Sequence, residues 1–189
     1  MAEANLEYVI VVVLLITLAC GIWIFNRLVS DRNLVAQAFA DIDVQLKRRA
    51  DLVPQLVETV KAYAAYERQT LQAVVELRAR ASTLADKERR PSASRFSAET
   101  ELGASLNKLI LLQENYPALK ADQNFRDLSA KLVDVEDQLQ NARRFYNGAV
   151  KQYVTRLQTF PDIVVARLLA FRSAAFFETD DRAAVKVSL

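Results

Sequence analysis

An uncharged run of 18 residues, "YVIVVVLLITLACGIWIF" at 8–25, constrains this chain more than any other feature. Wound as a helix, it is about 27 Å long, close to the hydrocarbon thickness of a bilayer. Tyr8 and Trp23 stand near its two ends, where amphipathic rings favour the headgroup level. The run reads as a transmembrane helix, which makes the lipid bilayer the first partner of the chain. A cleaved signal peptide would start with basic residues, whereas "MAEANLE" carries Glu3 and Glu7 and no Lys or Arg. A lipoprotein would use Cys20 in "TLAC", but Thr17 and the apolar "GIWIF" that follows argue against it. Cys20 then reads as a small residue in lipid. Basic residues begin only after the run, at Arg27 and Arg32, so the positive-inside rule puts residues 1–7 outside and the remainder in the cytoplasm.

The remainder reads as all-α. Three glycines and four prolines are few for 189 residues, as suits long helices rather than a turn-rich sheet protein. From Val35 two rows recur every seven residues: Val35, Ile42, Arg49, Leu56, Tyr63, Thr70, Leu77, and Phe39, Leu46, Val53, Val60, Glu67, Val74, Ala81. Eleven of these 14 positions are apolar, the coiled-coil-like seam of helices packed at a shallow angle. The phase runs through Pro54 without an insertion, which predicts one bent but continuous helix over about 27–87. A second helix is expected at about 97–115, with Leu102, Leu106, Leu109 and Ile110 at helical spacing. A third is expected at about 122–160, capped by Asp122 and closed by "FPD". Its rows are Phe125, Leu132, Leu139, Tyr146, Tyr153, Phe160 and Leu128, Val135, Ala142, Ala149, Arg156, with the aromatics read as core. A fourth, shorter helix at about 162–177 either closes the bundle or touches the membrane surface. Residues 26–178 thus form an elongated antiparallel bundle domain, and 179–189 a disordered tail. Pro117 either reverses the chain or only bends it.

Composition excludes several kinds of chemistry. The chain has no histidine, so no Ser-His or Cys-His pair can be built, and a lone cysteine excludes an internal disulfide. Glycines at 21, 103 and 148 make no phosphate loop, and a net charge of +2 leaves no footprint for nucleic acid. Asp134 and Asp137 read as a solvated face, as do Lys47 and Arg48. The informative polar residues interrupt the seams: Arg49, Glu67 and Arg156 are candidates for a polar core that fixes helix register. Arg167, Arg172 and Phe171 are candidates for membrane-surface contact.

Four ordered blocks, "IDVQLKRRADLVPQLVETVKAYAAYE", "ENYPALKADQNF", "ARRFYNGAVKQYVTRLQTFP" and the closing "FFE", resemble the LemA family of bacterial membrane proteins. The resemblance implies a single N-terminal anchor, a four-helix up-and-down bundle, a short outer N-terminus and a cytoplasmic bulk. It brings no established activity, and one branch of the family is associated with magnetosome membranes. "LLAF" at 168–171 has alanine where relatives tend to have glycine. The function expected is that of a non-catalytic, single-pass scaffold or adaptor for unknown protein partners at the bacterial inner membrane. No cofactor, metal, small-molecule substrate or nucleic acid is expected, and the seams leave room for an oligomer. The alternative is a protein that binds or shapes the membrane surface through its C-terminal apolar segment.

Overall fold

The computed structural model describes residues 2–88 and 90–177. Among the described residues there are six α-helices and no strand: α1 (Ala2–Tyr63), α2 (Arg68–Lys87), α3 (Ala93–Leu111), α4 (Pro117–Ala121), α5 (Gln123–Gln158) and α6 (Asp162–Leu168). A 3-10 turn, Leu112–Glu114, leads from α3 toward α4. The helices gather into two compact units, Met1–Ala38 with Asn147–Ala174, and Phe39–Tyr146 with Ala175–Leu189. The disordered tail expected at 179–189 lies outside the described residues.

In the second unit α1 turns its seam inward, with Ile42, Leu46, Arg49, Val53, Leu56 and Val60 all buried. Pro54 sits inside this helix on its exposed side and does not interrupt it. The break comes later. The single helix expected over 27–87 is two helices, parted at residues 64–67, where Glu67 N–H donates to the Ala64 carbonyl at 3.0 Å. Arg78 on α2 then donates through Nε to the Ala50 carbonyl at 2.9 Å, so α2 runs back along α1. Heptad spacing reports which face is buried and not which way the chain runs. "YAAYE" holds neither glycine nor proline, so nothing in it announces a turn. Ala64 fits the turn because it is small and fully buried.

Pro117 marks a reversal. Phe96 near the start of α3 meets Tyr146 late in α5, with ring centroids 6.0 Å apart. Further along α3, Gly103 lies beside Glu136. Residue numbers fall on one helix as they rise on the other, so the two are antiparallel. Pro117 occupies the first turn of α4, where its missing N–H costs nothing. Asp122 caps α5, its Oδ1 accepting from Phe125 N–H at 2.8 Å and its Oδ2 from the Tyr63 hydroxyl at 2.9 Å. Those two bonds hold its carboxyl below the usual range. One apolar cluster joins Val53 and Leu56 of α1, Val74 of α2, Leu102 and Leu109 of α3, Leu119 of α4 and Phe125 of α5.

In the first unit, α1 is exposed on every side over residues 8–20. It is the one described helix long and apolar enough to cross a membrane. Burial begins at Ile24 and Leu28, which pack with Ala166 and partly buried Leu157, Val165 and Phe171. The expected helix at 162–177 ends at Leu168. Ala170 adopts φ 52°, and the bonds from Phe171 N–H to the Ala166 carbonyl (2.9 Å) and from Ala170 N–H to the Arg167 carbonyl (3.2 Å) form a Schellman cap. Residues 169–177 continue without helix. Phe160, expected in the core row of the third helix, lies past the end of α5 and is 78% exposed.

The Schellman cap gives a first expected result. A left-handed conformation costs a non-glycine residue about 1–2 kcal/mol, and glycine's freedom in the unfolded chain takes back about 0.5–1. Ala170→Gly should therefore stabilise the protein by about 0.5–1 kcal/mol, a rise of roughly 1–4 °C in Tm by circular dichroism in detergent. A drop in Tm would show that the Ala170 methyl makes contacts worth more than the strain.

Candidate functional site

Arg49 is the largest fully buried side chain, 1% exposed, and it stands where the seam of α1 meets α3 and α5. Its Nη2 donates to the Glu99 carboxylate at 2.5 Å and to the Glu99 carbonyl at 2.8 Å, while its Nη1 donates to Glu136 at 3.2 Å. Glu136 also pairs with Arg143 at 3.7 Å, and Arg143 lies over the Phe177 ring with its guanidinium carbon 4.4 Å from the centroid. Two carboxylates and two guanidiniums thus form one neutral chain across three helices. Burial pulls Arg143 below its ordinary value, with Glu136 opposing. Gly103 makes room for the cluster. A Cβ there would stand 3.1 Å from Arg49 Nη1, an atom already held by Glu136.

Beside it lies an aromatic cluster. Phe39 and Phe96 meet edge-on at 6.1 Å, both face Tyr146, and Phe96 lies against Phe177 at 4.0 Å. Arg95 stacks over Phe39 at 5.0 Å and pairs with Asp43. The Tyr146 hydroxyl donates to the Ala175 carbonyl at 2.7 Å, and burial pushes its pKa up to about 12.

A second ion pair belongs to the first unit. Arg156 on α5 contacts Asp31 of α1 at 2.6 Å, and Asp162 lies 4.0 Å away. Gln152 donates to the other oxygen of Asp31 at 2.9 Å. Nearby, the Tyr153 hydroxyl donates to the Arg172 carbonyl at 3.1 Å.

The three seam-interrupting residues therefore take different places. Arg49 and Arg156 each sit in an interhelical ion pair, in different units. Glu67 stands in the turn between α1 and α2, where its carboxylate accepts from the Tyr116 hydroxyl at 3.1 Å. Glu99, Glu136, Arg143 and Asp31 were not singled out by sequence reasoning. The spacing Glu99–Gly103 on one face of α3, an acid one turn before the only glycine of that helix, was the available signal. Of the three membrane-contact candidates, Arg167 and Arg172 are exposed. Phe171 is half-buried, edge-on to Phe25 at 6.1 Å and 5.7 Å from the Arg32 guanidinium. In both clusters a guanidinium on one helix is held by a carboxylate on another, so each cluster ties helices together.

An all-helical chain whose buried charges neutralise one another is the class that fold and site define. Within it, the chain belongs to the LemA family, which it matches over residues 38–189. It is 25% identical over 175 residues to Protein LemA of Metamycoplasma hominis, an overlap of 89% of this chain and 78% of that one. It is also similar to the magnetosome protein MamQ 2 of Paramagnetospirillum magneticum, at 25% identity over 83 residues. That overlap takes in 44% of this chain but only 30% of the magnetosome protein. MamQ of Magnetospirillum gryphiswaldense is 24% identical over 82 residues, again 30% of its length.

Proposed function

We propose that this chain is a membrane-anchored, non-catalytic helical bundle of the LemA family that serves as a scaffold or adaptor for protein partners at the bacterial inner membrane. The observation that carries it is the contrast along α1. Residues 8–20 expose apolar side chains all round, whereas the seam from Ile42 to Val60 is buried in a core with a neutral ion cluster. The first pattern suits lipid and the second suits architecture. In the second unit α1, α2, α3 and α5 alternate in direction, which supports a four-helix up-and-down bundle. The magnetosome proteins among its relatives fit a membrane-associated role. The basic residues after Phe25 favour an outer N-terminus and a cytoplasmic bundle.

Three measurements test this. The chain should stay with membranes through alkaline carbonate extraction; release would overturn the anchor. With Cys20→Ala, a cysteine at Ala4 should react with an impermeant maleimide in spheroplasts, and one at Tyr66 only after lysis. The opposite pattern would overturn the orientation. A photo-crosslinking residue at Tyr66, 95% exposed, or Val133, 55% exposed, should give discrete protein adducts in cells. A lack of adducts at both would count against the scaffold.

A further inference from the structure

α6 is seven residues long, too short to hold itself together, yet it is fixed against α1 at one level. Its Ala166 and Val165 pack on Ile24 and Leu28, and Phe171 after it meets Phe25. That level is where the apolar run at 8–25 ends. With its inner face spent on α1, α6 turns a second apolar face outward. Val164 and Leu168 stand four residues apart within α6, on one side of the helix, and are 56% and 82% exposed. Arg27, Arg32, Arg167 and Arg172 are all exposed around the same level. The nearby acids, Asp31 and Asp162, are both turned to Arg156, so the exposed charge is cationic.

From this arrangement we infer that α6 is an interfacial helix: Val164 and Leu168 enter the acyl boundary of an anionic phospholipid bilayer while Arg167 and Arg172 meet its phosphates. The inference rests on the reading of residues 8–25 as a membrane span, because that span sets the depth of α6. An apolar face beside the end of a span lies where a surface helix is immersed, about 5–10 Å into the headgroup–acyl boundary. Each arginine near an anionic surface adds about 1 kcal/mol. Phe171 is not the inserting residue. It is used in holding the segment to α1, and Leu168 takes the place expected for it.

The full chain carries a built-in control, since Trp23 is its only tryptophan. Wild type and a Trp23→Phe, Leu168→Trp variant are reconstituted in equimolar phosphatidylcholine–phosphatidylglycerol vesicles with lipids brominated on the acyl chains. Trp23 should be quenched, and the tryptophan at 168 should be quenched to a comparable degree with blue-shifted emission. Changing to phosphatidylcholine alone should weaken quenching at 168 and leave Trp23 unchanged. Quenched Trp23 with water-like, unquenched emission at 168 overturns the inference and leaves the anchor standing. Blue emission at 168 without quenching overturns it in favour of a second protein surface on α6. If Trp23 itself escapes quenching, the anchor falls, and the inference with it. Equal quenching at 168 in both lipids overturns the part played by the arginines. Both substituted side chains are largely exposed, so the variant keeps its packing.

Discussion

Glu99→Ala should cost about 3–5 kcal/mol of stability, because it leaves the Arg49 guanidinium buried without its closest counter-charge. Glu136 at 3.2 Å remains, but its side chain is 30% exposed and cannot replace a partner that is 6% exposed and 2.5 Å away. Arg49→Leu should cost a similar amount for the mirror-image reason, since Glu99, 4% exposed, then stays buried without its counter-charge. The double variant Arg49→Leu, Glu99→Leu should regain most of the loss, because a buried pair against apolar isosteres is often close to neutral. Removing both charges also frees Glu136 to turn toward water and Arg143. Thermal unfolding of all four proteins in detergent supplies the cycle, with each single variant down by roughly 6–20 °C in Tm. Single losses under about 1 kcal/mol would put the pair among ordinary surface ion pairs, and the clamp would be gone. A double variant as unstable as the singles would mean that the cavity, not the charge, carries the cost.

That cluster also shows how far residue patterns reached. Arg49 stood out because it broke an apolar row, and a break in a row is visible in one dimension. Its partners did not stand out. Glu99 and Glu136 lie on helices that carry other acids and bases, and only the approach of α3 and α5 to Arg49 at one level makes them special. The two halves of the heptad pattern behaved differently for a related reason. From Ile42 to Val60 the rows became the buried seam of one helix, with Pro54 on its outer side. Past Tyr63 the same period continued on a helix running the other way, because burial against a common core imposes the period whatever the direction. The loop from Ala64 to Glu67 gave no warning, since small size at Ala64 rather than glycine freedom makes it possible. At the C-terminal end, "LLAF" reads as the middle of a helix. Its Ala170 is the residue that takes the left-handed conformation, and the helix expected to run on to 177 stops just before it. Phe160 was placed in the core by arithmetic alone, two residues beyond the last turn that α5 completes.

Phe96→Ala should be the costliest apolar truncation in the second unit, at about 3–5 kcal/mol. Phe96 is 3% exposed and touches Phe39 of α1, Tyr146 of α5 and Phe177 in one place. Its loss opens a path for water, because a cavity of about 530 Å³ bordered by Ser97, Thr100 and Phe176 already reaches its edge. The neighbours then face solvent instead of a sealed void, and that gives a second readout. In the intact protein burial raises the Tyr146 pKa to about 12 from an ordinary value of 10. A raised folded value means that the contribution of this phenol to stability is whole below the unfolded pKa and is lost as pH climbs through the folded one. Wild type should therefore lose stability as pH rises from 10 to 12, and Phe96→Ala should show a shallower slope. Absorbance titration should find the Tyr146 phenol ionising at lower pH in the variant, with Tyr146→Phe identifying its signal. Phe96→Leu should keep most of the stability and the high pKa, because it still seals the cavity edge. If Phe96→Ala lost stability but left Tyr146 ionising near 12, the rings would be packed partners without being the seal. The hydroxyl of Tyr146 on the Ala175 carbonyl would then be enough to keep water out by itself.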